Sequence, residues 1–295
     1  MNKVVIIQAR MSSSRLPGKV MLDIAGQPMI QHVINRAKRS KLIDRVMVAT
    51  TTDPSDDVLE LFCQKQALPC YRGSLPDVLD RFFQAARQYR ADVIIRLTAD
   101  CPLIDPEVID RTISAYFNMP FPTHPSGDAL LSNTKLPNHY PFDFAADRLP
   151  PPWQRTLPIG LDVEVCAYQA LERAWKEADQ LYQREHVMPY LYELVDFSNS
   201  EPGKDEWYTE HGTTPRGFKV ALLNHAPDYG DLRWTVDTPA DLEFVRQVYT
   251  HFCDRQDFGW QDILALLEQK PDLADINAQV KPKSAFDVDQ RTDAR

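Results

Sequence analysis

The sequence predicts an α/β protein built on a doubly wound, mainly parallel sheet with a smaller α+β subdomain. Three observations carry that expectation. Short apolar runs at residues 4–7, 46–50 and 93–97 have the composition and length of strands buried on both faces. Helical patterns separate them, and such alternation implies βαβ units with right-handed crossovers. The first run also opens into a cationic loop of small residues, and open α/β sheets bind ligands beyond the carboxyl ends of their strands.

Behind Pro28, the residues Met29, Ile30, Val33, Ile34 and Ala37 recur at helical spacing, and the pattern ends in the basic cluster Arg36, Lys38, Arg39 and Lys41. A strand is expected at 46–50, a helix at 56–66, a short strand at 68–71, a helix at 77–89 and the next strand at 93–97. Prolines then crowd the stretch 120–158, where regular structure is expected to lapse, with 136–154 read as an insertion in a surface loop. Residues 161–166 alternate apolar and acidic side chains like a strand with one wet face; helices are expected at 168–178 and 185–194. The section 159–215 reads as the smaller subdomain. Returning strands at 218–222 and 233–236 precede a helix at 240–252, introduced by Pro239. A last amphipathic helix covers 260–267, and the polar residues 282–295 read as a frayed tail.

With 43% hydrophobic and 25% charged residues the composition is that of a globular protein, and no apolar run approaches the ~20 residues of a membrane span. The chain enters a strand directly after Asn2 and Lys3, so a soluble cytoplasmic protein is expected, without membrane contact. Cys63, Cys70, Cys101, Cys166 and Cys253 are odd in number and form no Cys-x-x-Cys pair, and they read as reduced thiols. A net charge of −9 argues against nucleic acid as a partner. An anionic ligand would have to be gathered by a local cationic site.

The loop that follows residues 4–7 is such a site. Arg10, Arg15 and Lys19 emerge together, and Ala9, Ser12, Ser13, Ser14 and Gly18 leave backbone amides open to phosphate oxygens. A basic loop that is merely solvated is the alternative reading. Residues 93–97 run into Thr98, Ala99 and Asp100, which sets a carboxylate at the end of a central strand, where one or two carboxylates plus phosphates suit magnesium. Asp237 supplies a second candidate, although its place before Thr238 and Pro239 equally suits a helix cap. Asp105, followed by Pro106, reads as a cap. Asp162 and Glu164 lie two apart and share a strand face, while His186 sits near a helix start; they form either a sugar-acid pocket or solvated surface.

The phrase Arg15-Leu16-Pro17-Gly18-Lys19, continued by Met21-Leu22-Asp23-Ile24-Ala25-Gly26-Gln27-Pro28, resembles the sugar-acid cytidylyltransferases. These include the acylneuraminate and 3-deoxy-manno-octulosonate enzymes, and the likeness is greatest to the spore-coat polysaccharide branch. Neither a Walker loop nor a Gly-x-Gly-x-x-Gly fingerprint competes. Further blocks in order strengthen the resemblance: Tyr71-Arg72-Gly73-Ser74 with Asp77, Gly160 to Val165, Arg184-Glu185-His186-Val187, and the Val236-Asp237-Thr238-Pro239 context. Where octulosonate enzymes carry Gly-Asp-x-Pro, this chain has Ala99-Asp100-Cys101-Pro102.

The resemblance implies a nucleotide-diphospho-sugar transferase-like fold over 1–281, a homodimer formed through the smaller subdomain, and transfer of CMP from CTP to an acidic sugar. It implies Mg²⁺ on Asp100 and Asp237, with Arg15 and Lys19 also catalytic. Gln8, Ala9, Arg10, Ser14, Gly73, Ser74, Asp77, Thr98 and Ala99 join Arg15 and Lys19 around the nucleotide, and Asp162, Glu164, Arg184 and His186 around the acceptor. A cytidylyltransferase for a non-sugar alcohol or phosphonate, a glycosyltransferase, and a non-catalytic nucleotide-binding protein are the alternatives.

Overall fold

The structure is a computed structural model that describes residues 1–121, 140–153, 155–198, 203, 205–253, 255 and 257–281. The apolar runs become the middle of one sheet. In chain order its strands are β1 (Lys3–Gln8), β4 (Arg45–Thr51), β5 (Cys70–Gly73), β6 (Val93–Thr98), β7 (Phe144–Ala146), β8 (Glu164–Ala167), β9 (Trp207–Thr213) and β10 (Lys219–His225); β2 (Asp23–Ile24) and β3 (Gln27–Pro28) form a separate small hairpin. The spatial order is β5-β4-β1-β6-β8-β7-β10-β9. The strands β5, β4, β1 and β6 are mutually parallel, as are β7 and β10, whereas β8 runs against β6 and β7, and β9 against β10. A mainly parallel α/β sheet is therefore what the sequence specifies. Val4, Val5, Ile6, Ile7, Val93, Ile94 and Ile95 are completely buried, as continuous β-branched runs in a sheet covered on both faces must be.

The helices are α1 (Met29–Ala37), α2 (Asp57–Lys65), α3 (Val78–Gln88), α4 (Pro106–Tyr116), α5 (Tyr168–Glu177), α6 (Leu181–His186), α7 (Pro189–Tyr192), α8 (Pro239–His251), α9 (Trp260–Gln269) and α10 (Asp272–Asp275). Their starts follow the expected chemistry. Asp77 caps α3 by accepting from Asp80 N at 2.8 Å, Asp105 caps α4 ahead of Pro106, and Thr238 caps α8 ahead of Pro239.

Several expectations need correction. The proline-rich stretch 120–158 contains β7, whose residues Phe144, Ala145 and Ala146 are completely buried between β8 and β10. Prolines on either side of this three-residue run obscured it, and residues 122–139 and 154 of that stretch lie outside the described residues. The face expected to be wet at 161–166 is not: Glu164 is buried and pairs with Arg96 on the neighbouring strand. Residues 233–236 are not a strand, because Trp234 N bonds to Ile159 O and Val236 N to Asp100 O, so the segment crosses the sheet's carboxyl end and makes a single bridge, Ile159 to Arg233. His186 ends a helix instead of opening one: Gln180 and Gln183 form a capping box at the start of α6, and Val187 leaves the helix at φ 72°. The expected smaller subdomain shares its strands with the large sheet, since β8 and β9 are both members of it. The tail at 282–295 also lies outside the described residues.

Candidate active site

The phosphate-loop candidate is shaped by its own backbone. Ser13 N and Gly18 N both donate to Met11 O, at 2.9 and 2.8 Å, which folds residues 11–18 back on themselves. Gly18 has φ 71°, a conformation that a side chain disfavours, and it delivers the chain into the short turn Lys19–Met21. Asp56 anchors the loop from below: it is buried, and its Oδ1 accepts Met11 N at 2.7 Å while Oδ2 takes the amide and hydroxyl of Thr51. The loop is thereby tied to the end of β4.

A cleft at the carboxyl ends of β1 and β6 is lined by Gln8, Arg10, Ser13, Ser14, Arg15, Lys19, Val20, Thr98, Ala99, Asp100 and Asp237. Residues 218 apart in sequence meet here. Lys19 Nζ donates to Asp100 Oδ2 at 2.7 Å, to Asp237 Oδ1 at 2.8 Å and to Val236 O at 2.8 Å. Burial would push the Lys19 ammonium down, but Asp100 and Asp237 more than offset it and hold its pKa above the ordinary lysine value. Burial likewise favours the neutral form of Asp237. Lys19, Arg15 and Arg233 outweigh that and keep its carboxyl at about 2. Its Oδ2 receives Arg15 at 2.6 Å and Arg233 at 2.8 Å. Asp237 is therefore not the helix cap; Thr238 fills that place.

Arg233 and Asp241 were not singled out from the sequence. Arg233 Nε donates to Asp241 Oδ1 at 2.8 Å, while its Nη2 reaches both Asp241 and Asp237. Asp241 is fully buried and also accepts Asp237 N, Thr238 N and Asn277 Nδ2. The spacing Arg233-x-x-x-Asp237-x-x-x-Asp241 is a signal only once the segment is known to cross the sheet end. Gly160, at φ 111°, lies so close to this segment that a Cβ there would stand 2.6 Å from Thr235 N.

Beside the cleft lies a row of paired charges. Arg96 binds Glu164 through one Nη and Gln8 Oε1 through the other at 3.1 Å; Arg155 binds Asp162, with Arg148 3.8 Å from the same carboxylate. Arg155 and Arg148 hold Asp162 below the usual carboxylate range against the opposing effect of burial. Asp147, completely enclosed and close to Asp162, is pushed up to about 8 by burial and that neighbouring charge. The remaining candidates sit farther along the sheet. Ala9 is buried and bonded to Ala49 O, Gly73 ends β5, and Ser74 O accepts from the buried Arg81 at 2.9 Å. Asp77 caps α3 and binds Arg184, whose Nη1 also donates to Trp175 O at 2.7 Å. Neither Arg184 nor His186 lines the cleft.

A strand-end cleft with a cationic loop facing two carboxylates is the layout of a nucleotidyltransferase. The sequence profile of the cytidylyltransferase family matches residues 4–215, and the chain belongs to that family. It is 31% identical to the spore coat polysaccharide biosynthesis protein SpsF of Bacillus subtilis, over 93% of this chain and 98% of that protein. It is 38% identical to the 3-deoxy-manno-octulosonate cytidylyltransferase of Chlorobium luteolum, with 84% of this chain and 97% of that enzyme covered. A solved cytidylyltransferase from Leptospira borgpetersenii matches with a TM-score of 0.74 at 27% identity, over 96% of this chain and 100% of its own. Asp237 and its bracket lie beyond residue 215, and the hydrogen bonds of Lys19 unite them with the matched part.

Proposed function

We propose that this enzyme transfers CMP from CTP to a hydroxyl of an acidic sugar and releases pyrophosphate, with Mg²⁺ as the metal. The convergence of Arg10, Arg15 and Lys19 with Asp100 and Asp237 in one cleft carries this reading. Asp100 and Asp237 fit a divalent cation, because both already face a shared cationic centre. Magnesium takes one or two protein carboxylates and completes its shell with phosphate oxygens and water. Bound there, Mg²⁺ would neutralise phosphate charge and lower the pKa of the attacking hydroxyl.

Arg10, Arg15 and Lys19 hold the triphosphate by charge-assisted hydrogen bonds and fix the α-phosphorus for in-line attack. The acceptor oxygen bonds to that phosphorus, its proton passes to solvent, and the bond to the β-bridging oxygen breaks. Pyrophosphate departs with the electron pair, its charge neutralised by the loop cations. Gln8, Ser14, Thr98 and Ala99 line the cleft around the phosphates, and Gly73 and Ser74, farther along the sheet, are assigned to the nucleotide's base by resemblance. An acidic acceptor is supported by the charge row, in which three arginines, Arg96, Arg148 and Arg155, stand beside Glu164 and Asp162 while burial favours the neutral form of Asp147.

The exposed Leu194, which lines an apolar groove with Pro150, Pro152, Trp153 and Tyr192, supports the homodimer expected at the 159–215 section. Light scattering at twice the chain's mass is the expected result. The function itself is tested by pyrophosphate release with each of the four NTPs and a panel of nonulosonic, octulosonic and neutral sugars. Release with CTP and an acidic sugar alone is expected; release with neutral sugars, or indifference to the base, contradicts the reading.

A further inference from the structure

The carboxylate pair already holds a cation of its own. All three hydrogens of the Lys19 ammonium are committed, two to Asp100 and Asp237 and one to Val236 O, and the side chain is almost wholly buried. Counting outward, Lys19, Arg15 and Arg233 face Asp100, Asp237 and Asp241, so three positive charges stand against three negative ones. This ion-paired set, Arg10 of the cleft aside, closes on neutrality without an external ion. A divalent cation approaching this pair meets an ammonium at 2.7 and 2.8 Å from the very oxygens it needs, in a setting where like charges repel strongly. The triphosphate changes that balance, because it brings several negative charges to a lysine mounted on a flexible four-carbon stem.

We propose that Lys19 is the resident counter-ion of the Asp100–Asp237 pair, and that the triphosphate draws its ammonium away, so that the two carboxylates accept a divalent cation only together with nucleotide. The inference rests on the reading of Asp100 and Asp237 as metal ligands. It makes Lys19 a guard against idle metal binding as well as a phosphate ligand.

Mn²⁺ titration of the full-length protein, followed by the electron paramagnetic resonance of the free ion, tests this without reference to turnover. Wild-type protein alone should bind Mn²⁺ at least about tenfold more weakly than with CTP present, after correction for Mn²⁺ held by CTP in solution. Lys19→Met without nucleotide should gain about tenfold in Mn²⁺ affinity over wild type, and the gain should vanish in Lys19→Met/Asp100→Asn. Thermal melts give a second readout: Mn²⁺ alone should raise the midpoint of Lys19→Met more than that of wild type. Should Lys19→Met fail to fold, Lys19→Gln serves for the same comparison. Equal Mn²⁺ affinity of wild type and the Lys19 variant without nucleotide, alongside CTP-dependent binding by wild type, overturns the inference and leaves the metal assignment standing. No Mn²⁺ binding by wild type even with CTP overturns both.

Discussion

At the scale of single residues, the site is organised by carboxylates that serve more than one cation. Asp237 is aimed by Arg233, and only a planar fork can reach Asp237 and the buried Asp241 together. Arg233→Lys keeps the charge and loses the fork. Its turnover should fall on the order of tenfold or more while CTP still protects it against thermal unfolding, and unchanged turnover would remove Arg233 as a positioning residue. The loop cations and Asp100 were legible in the sequence because strand ends and small residues mark them, whereas Asp237 read equally as a helix cap until the family resemblance was added. Arg233 was not legible, since an arginine four residues before an aspartate has no meaning until the segment is known to cross the sheet. Asp56 escaped notice for a similar reason: it reads as part of a helix start, and only its hydrogen bonds to Met11 and Thr51 show that it holds the loop.

At the scale of elements, the long strands and the capped helices were legible because their signals are local. The three-residue β7 and the polar β9 were not. Three residues among prolines carry no period, and β9 is a mixed polar sequence whose order comes from pairing with β10. The segment 233–236 shows the opposite error, since a β-like composition there is satisfied by Ile159 and Asp100. Gly160 is what lets this segment lie close. Gly160→Ala should destabilise the protein by more than about 1 kcal/mol, because it sets a side chain at φ 111° and drives Cβ into the backbone of Trp234 and Thr235. Urea unfolding measures this, and a midpoint equal to wild type would contradict the packing described. Asp56→Ala leaves the amides of Met11 and Thr51 without their partner and should cost about 3 kcal/mol, with weaker CTP binding as the loop loosens.

At the scale of the whole molecule, buried carboxylates set opposite limits on the pH range of stability. The Asp237 carboxyl is held at about 2, below its unfolded value, so the stability it contributes is present above that unfolded value and is lost as pH falls toward 2. Asp147 is raised to about 8; its contribution is fully present below the unfolded carboxylate value and is lost as pH rises through 8. Thermal midpoints across pH 2 to 9 should therefore decline on both sides, and Asp147→Asn should flatten the alkaline side alone. An alkaline decline as steep in Asp147→Asn as in wild type would show that Asp147 is ionised in the fold. The proposed acidic acceptor was the least legible part of the reading, because Arg96, Arg148 and Arg155, which support it, are brought beside Glu164 and Asp162 only by the fold.

The central claim is that Lys19, Asp100 and Asp237 form the catalytic centre. The most direct measurement is CTP-dependent pyrophosphate release by Asp100→Asn and Asp237→Asn, beside circular dichroism of the same preparations. A fall in turnover of roughly 100-fold or more in both, with the fold retained, is the predicted result. Wild-type turnover in both variants would contradict the account.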